Sequence, residues 1–286
     1  MPGIFVAGAT GYLGRRLCRA FRASGLAVTA LVRDRERAGA ISLDADRLVE
    51  AEATDPAALG GSMAGCDTVI SALGITRQTD GLTYRDVDYQ ANLNLLREAE
   101  AAGITRFAYV HVFNGALLAR ESALARAKQD FVEALEKSPL AATVIAPTGY
   151  FSDMESVFDM ARKGRVFLFG DGSVRVNPID GDDLAAVCVD AVQAGAPYIE
   201  AGGPDIMTFD EIGQLAFEAL GRKPRFLHMP YPIADGALKL IRRVTPQQAY
   251  GPFEFFVAAS RSDMVAPCHG TLRLADHFRA LAAAKA

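Results

Sequence analysis

Apolar positions along the chain fall into short blocks whose period switches between buried runs and helical stripes. "GIFVAGA" (3–9) is a continuous apolar run ending in glycine, as in a strand buried on both faces. "GRRLCRAFRASG" (14–25) places Leu17, Ala20 and Phe21 on one helical stripe and ends at Gly25. "LAVTALVRD" (26–34) predicts a second strand and "RLVEAEATD" (47–55) a weaker third. "DPAALGGSMAGC" (55–66) predicts a short helix with an Asp start, and "DTVISALG" (67–74) a fourth strand. An amphipathic helix over "YQANLNLLREAEAAG" (89–103) leads to the strand "RFAYVHVF" (106–113). The helix "ALARAKQDFVEALEKSP" (123–139) leads to the strand "AATVIAP" (141–147).

This alternation predicts an α/β fold, a Rossmann-like doubly wound parallel sheet with helices on both faces. The pattern loosens after Tyr150. Residues 164–192 mix short strands, turns and one helix, and Thr208 with Glu211 three positions on opens a capped helix. The segment 231–261 is apolar, aromatic and broken by prolines. The division expected is a nucleotide-binding domain over 1–150 and a smaller, mixed α/β substrate-side region over 151–286 packed on it.

Composition narrows the class without naming a function. The chain has 286 residues, half of them hydrophobic, with a net charge of −4. There is no basic excess to neutralise phosphates, so a general nucleic-acid partner is not expected. Cys18, Cys66, Cys188 and Cys268 show no CxxC pair, and His228, His269 and His277 have no ligand spacing, so no metal is assigned. No signal peptide pattern or apolar run of membrane-spanning length is seen, and a cytoplasmic location is expected.

The candidate chemistry begins at Gly8, Gly11 and Gly14, which stand three apart between a strand and a helix. Such a turn needs positive φ, and missing Cβ atoms let backbone N–H groups approach a pyrophosphate at the helix start. Thr10 adds a hydroxyl. The alternative is a glycine-rich turn with no ligand.

"GATGYLGRRL", "VDYQANLNLLREAEAAGITRFAYV", "PTGYFSDM" and "VNPIDGDDLA" together resemble the atypical short-chain dehydrogenase/reductases, in particular the NmrA-like NAD(P)-binding branch. The resemblance runs from residue 3 to about residue 221. A weaker likeness to divinyl chlorophyllide reductases lies around residues 169–185 and 202–224. The family pattern places Gly8, Thr10, Gly11, Tyr12, Leu13 and Gly14 at the cofactor, with Asp55 by the adenine. It puts Ala72, Leu73 and Gly74 beside the ribose and pyrophosphate, and Pro147 to Tyr150 along the nicotinamide.

The second strand ends in Arg33 and Asp34. An acidic residue here suits the ribose 2′-hydroxyl of NAD, whereas an arginine forks onto the 2′-phosphate of NADP. Both are present; the family's use of this arginine favours NADP, with NAD as the alternative and Arg15 as a second basic group.

Short-chain reductases generally pair a Ser and a Tyr hydroxyl with a Lys four residues past the Tyr. Lys128 is present, but Leu124 stands where the Tyr is expected and His111 where the Ser is expected. Three catalytic candidates remain. Lys128 could be the acid if burial lowers its pKa, or it could only hold the ribose; His111 and Tyr150 could each donate a proton. The aromatic stretches "PTGYFSDMESVF" and "YGPFEFFVAA" point to an apolar pocket. Two functions follow: an NADP(H)-dependent reductase of an apolar carbonyl or alkene, or a non-catalytic nucleotide-binding sensor or assembly protein with a protein partner.

Overall fold

The computed structural model describes residues 3–75 and 81–284. In chain order these form β1 (Gly3–Ala7), α1 (Tyr12–Ala23), β2 (Ala27–Val32), α2 (Arg35–Ala40), β3 (Arg47–Glu50) and β4 (Thr68–Ser71). A π-helical turn, Arg85–Ala91, runs into α3 (Asn92–Ala101). Then come β5 (Arg106–Val110), α4 (Gly115–Leu118), α5 (Ala123–Glu136), β6 (Ala141–Pro147), α6 (Phe151–Arg162), β7 (Val166–Phe169) and β8 (Arg175–Val176). The chain ends with α7 (Gly181–Ala194), β9 (Tyr198–Ala201), β10 (Met207–Thr208), α8 (Phe209–Ala219), β11 (Phe226–Met229), α9 (Tyr231–Val244), α10 (Gln247–Ala259) and α11 (Leu274–Ala284).

Seven strands make one parallel sheet in the order β3-β2-β1-β4-β5-β6-β9. The apolar runs β1 and β4 are buried along their whole length near its centre, while the edge strand β3 carries exposed charges at both ends. One face packs on α1 and α7 through Leu17, Phe21, Leu184 and Val192; the other packs on α3 and α5 through Leu95, Ala99, Phe131 and Leu135. The order reverses between β1 and β4, and a crevice at such a reversal is where open α/β sheets bind ligands.

A second core joins α6, α8 and α11 through Phe151, Phe158, Phe217 and Phe278. Two small ribbons, β8–β10 and β7–β11, trim it. The boundary expected at residue 150 falls at the start of α6, yet α7 and β9 beyond it return to the large sheet.

One expected element is absent. Residues 56–65 form consecutive turns rather than a helix, closed by bonds such as Ser62 N–H to Leu59 O at 2.9 Å. Gly61 and Gly65 adopt φ of 70° and 82°, which a right-handed helix cannot contain.

Candidate active site and cofactor cleft

The three glycines have three separate causes. Gly8 has φ 76°, and a Cβ there would sit 2.9 Å from the backbone of Ala72 on the neighbouring strand end. A Cβ on Gly14 would stand 2.0 Å from the Gly8 carbonyl oxygen, so α1 can approach β1 only with glycine at that place. Gly11 is the extended N-cap of α1 and offers no side-chain cap, which leaves the first N–H groups of that helix for a ligand. The cleft beside this turn has a volume of about 290 Å³ and is lined by Gly8, Thr10, Gly11, Arg33, Thr54, Ala72, Leu73 and Gly74. A cradle built this way fits a dinucleotide pyrophosphate.

The structure separates the two residues ending β2. Arg33 lines the cleft. Asp34 instead accepts the Arg37 N–H at 2.9 Å and caps α2. Asp55, expected by the adenine, accepts the Ala57 N–H at 3.0 Å; the wall there is made by Glu52, Ala53 and Thr54. Leu13 is buried in the core, and the Tyr12 hydroxyl accepts the Gly181 N–H at the start of α7. These two side chains therefore face away from the cleft, and Arg15 is exposed on α1.

Lys128, from α5, is held by a buried carboxylate and a buried phenol. Its Nζ lies 3.3 Å from Asp88 Oδ1 and donates to the Tyr109 hydroxyl at 3.4 Å. Burial alone would lower the ammonium, but Tyr109 and Asp88 outweigh it and hold Lys128 up at about 12. That corrects the expectation of a lowered pKa: Lys128 is a fixed positive charge, not a proton donor poised near neutrality. Burial also pushes Asp88 up to about 6 against the pull of Lys128, so the pair is charged at neutral pH.

The π-helical turn sets this geometry, as extra residues in a helix often do at functional sites. Asn92, fully buried at its end, donates to the carbonyls of Val87 and Asp88 and contacts the Ser71 hydroxyl at 2.5 Å. Gly74 lies against the pair; a Cβ there would be 2.6 Å from Asp88 Oδ1.

A pocket of about 180 Å³ adjoins the cleft and shares Ala72, Gly74 and Ile75 with it. His111, Lys128, Pro147, Tyr150 and Asp153 line it together with Leu124, Met154, Phe209, Phe255 and Phe256. The structure thus brings all three catalytic candidates to one cavity, with the aromatic stretches around them. His111 is buried, its Nε2 lies 3.2 Å from Gln129 Oε1, and burial pulls its pKa down to about 4. The imidazole is therefore neutral, and its Nδ1 has no partner among the described residues. Tyr150 packs on Tyr12 with ring centroids 5.7 Å apart, and burial raises its phenol strongly. Leu124 puts a hydrocarbon into the pocket four residues before Lys128.

A sequence profile described as NAD(P)H-binding matches residues 8–194, which holds the glycine turn, Arg33, Asp88 and Lys128. The chain belongs to that family. Divinyl chlorophyllide a 8-vinyl-reductase of Oryza sativa subsp. indica is 29% identical over 255 residues, covering 82% of this chain and 63% of the rice protein. A photosystem II assembly factor of Synechocystis is 34% identical over 113 residues, 40% of this chain and 34% of the factor. An NADPH-dependent quinone oxidoreductase of Escherichia coli, solved with NADPH, superimposes with a TM-score of 0.78 at 18% identity, covering 97% of this chain and 99% of that one.

In this NAD(P)H-binding family member the residues missed from the sequence are Asp88, Tyr109, Asn92 and Asp153. Asp88 and Asn92 stand in "VDYQANLNLL", and two polar residues on the apolar stripe of a helix are a signal that a buried network is present. Tyr109 carried no signal, since a tyrosine in a buried strand reads as packing. No helix among the described residues is long and apolar enough to cross a membrane.

Proposed function

We propose that this protein is an NADP(H)-dependent reductase acting on an apolar small-molecule carbonyl or alkene. The observation that carries the reading is the junction of the two cavities: the glycine-turn cleft and the apolar pocket meet at Ala72, Gly74 and Ile75, beside Lys128. A bound nicotinamide supplies hydride at such a junction. The chain's own residues do the rest. Gly8, Gly11 and the first turn of α1 hold the pyrophosphate, and Arg33 takes a 2′-phosphate while Asp34 is spent on its cap. Lys128 offers a fixed charge to ribose hydroxyls, and Phe209, Phe255, Phe256 and Met154 exclude water and orient an apolar substrate. Residues 1–150 supply most of the cofactor side, and the region from 151 supplies the aromatic wall.

A second reading is a nucleotide-binding sensor or assembly protein. Leu124 and His111 in place of both hydroxyls favour it, as does the similarity of part of the chain to an assembly factor. Thermal unfolding with NADPH, NADP+, NADH and NAD+ in turn tests the cofactor. A ligand at about 100 times its Kd adds about 2.7 kcal/mol, and the phosphorylated pair is expected to give the larger shift. No shift with any of the four overturns both readings. A shift without oxidation of NADPH by any quinone or enone selects the second.

A further inference from the structure

Four titratable side chains line the apolar pocket: His111, Lys128, Tyr150 and Asp153. Three are poor sources of a proton. His111 is neutral with Nε2 turned to Gln129, Lys128 is locked in its pair with Asp88, and burial makes the Tyr150 phenol a weak acid. Asp153 is the only carboxyl among the described residues of that lining.

Asp153 sits in the first turn of α6, where its Oδ2 accepts the Tyr150 N–H at 3.0 Å. That bond fixes the carboxyl and occupies one oxygen. Oδ1 has no hydrogen-bond partner among the described residues. The same side chain also borders two further cavities. One is an apolar chamber with Phe167, Phe169, Phe253 and Phe256; the other is an outer polar cleft with Ser152, Glu155, Ser156 and Lys163. The carboxyl therefore stands between an apolar interior and a polar outlet.

We infer that Asp153 is the catalytic acid of the reductase proposed above, giving its proton to the substrate atom that keeps the electron pair after hydride arrival. The step balances. Hydride, whose source is the reduced nicotinamide nucleotide, forms a C–H bond at one end of a C=O or polarised C=C, and the π bond breaks. Its electron pair rests on the other atom, which takes the carboxyl proton as the acid's O–H bond breaks. Asp153 is left as carboxylate, and the outer cleft gives solvent a route to reprotonate it. Burial pushes this carboxyl up against the pull of the Tyr150 N–H, and Glu155 adds to the push. The other titratable groups facing it are Tyr12 and Tyr150, His111 and Lys128 across the pocket, and Asp159 and Lys163 in the cleft.

The test compares the wild-type protein with Asp153→Asn and Asp153→Glu in three measurements. These are the thermal shift with NADPH, the titration of carboxyl carbons in 13C-aspartate-labelled protein, and NADPH oxidation with menadione or trans-chalcone between about pH 5 and 9. Asp153→Asn is expected to bind NADPH as the wild type does and to lack one resonance that titrates above the ordinary aspartate range. Its turnover is expected to fall by roughly 100-fold or more, with partial return in Asp153→Glu. Wild-type turnover is expected to decline as pH rises past that titration, since the acid form is needed, and the decline is absent in the Asn variant. A resonance in the ordinary range, or an Asn variant within a few-fold of wild-type turnover, overturns the role of Asp153 alone. A wild type that binds NADPH but reduces neither probe overturns the reductase reading and this inference with it; no NADPH shift overturns the cofactor reading first.

Discussion

Gly11 and Gly14 stand three residues apart in the same turn, yet substituting each by alanine should fail in a different way. At Gly14 the new Cβ would lie 2.0 Å from the Gly8 carbonyl oxygen, 2.7 Å from its carbon and 2.8 Å from the Ala9 Cα, all backbone atoms. Real Cβ contacts stay beyond 3.0 Å, so α1 must retreat from β1 by about 1 Å. Overpacking of this kind costs about 3 kcal/mol, against which alanine recovers about 1 kcal/mol of helix propensity. The net loss of about 2 kcal/mol corresponds to roughly 3 °C in Tm for a chain of this size. Gly11 has φ −74° and its nearest neighbour, the Gly8 carbonyl oxygen, at 3.2 Å, so alanine needs that backbone to give by only a few tenths of an ångström and costs under about 1 kcal/mol in capping. Its methyl, however, points at a residue of the cleft lining, where the backbone must meet the pyrophosphate. Thermal unfolding with and without NADPH reads both effects. Gly14→Ala lowers the Tm of the free protein; Gly11→Ala nearly keeps it but loses the NADPH-induced rise. A Gly11→Ala protein that rises with NADPH as the wild type does would refute the cradle, and an unchanged Gly14→Ala Tm would refute the close approach of α1 to β1.

Three further outcomes are expected. Asp88→Asn leaves the Lys128 ammonium buried without its anion and should lose about 3–5 kcal/mol in urea unfolding, most of it recovered in Asp88→Asn/Lys128→Met. His111 ionises near 6.5 when unfolded and near 4 when folded, so its contribution is present above pH 6.5 and lost as pH falls toward 4. Wild type should therefore lose up to roughly 3 kcal/mol relative to His111→Gln over that window, an equal pH dependence in the two proteins counting against burial as the cause. Asp88 acts in the opposite sense below pH 6 but is common to both proteins and cancels in the difference. Arg33→Ala should reduce the thermal shift with NADPH to that with NADH and leave the NADH shift alone; equal losses with both nucleotides would remove Arg33 from the phosphate.

Most of the sheet could be read from the chain because β1, β2, β4, β5 and β6 are predominantly apolar and mostly buried, whereas the two edge strands, β3 and β9, carry charged residues. The failure at 55–66 has the same logic in reverse. An Asp start and a few alanines imitate a helix, but Gly60, Gly61 and Gly65 within so short a stretch let the chain close into turns instead. The π-helical turn could not be read at all, since the buried positions Val87, Asp88, Ala91, Asn92, Leu95 and Leu96 keep a spacing that an ordinary helical stripe also shows.

The site was legible where a residue's type alone implies its neighbours, and illegible where partners come from distant strands. Glycines three apart point to a phosphate turn once they stand between a strand and a helix at the head of repeated strand–helix units, all of which lie in the local sequence. Lys128 implies nothing about its own charge state until Asp88 and Tyr109, which arrive on the π-helical turn and on β5, are seen around it. That arrangement also changes the meaning of the absent hydroxyls. In the usual plan the lysine lowers the pKa of a tyrosine four residues before it; here the same helix face presents Leu124, and the lysine's charge is spent on a buried carboxylate and a phenol closed off from the pocket. A lysine kept charged in that way holds geometry rather than moving protons. Any proton delivered to a substrate must then come from a group that reaches both the pocket and solvent, and the first turn of α6 is where the fold provides one.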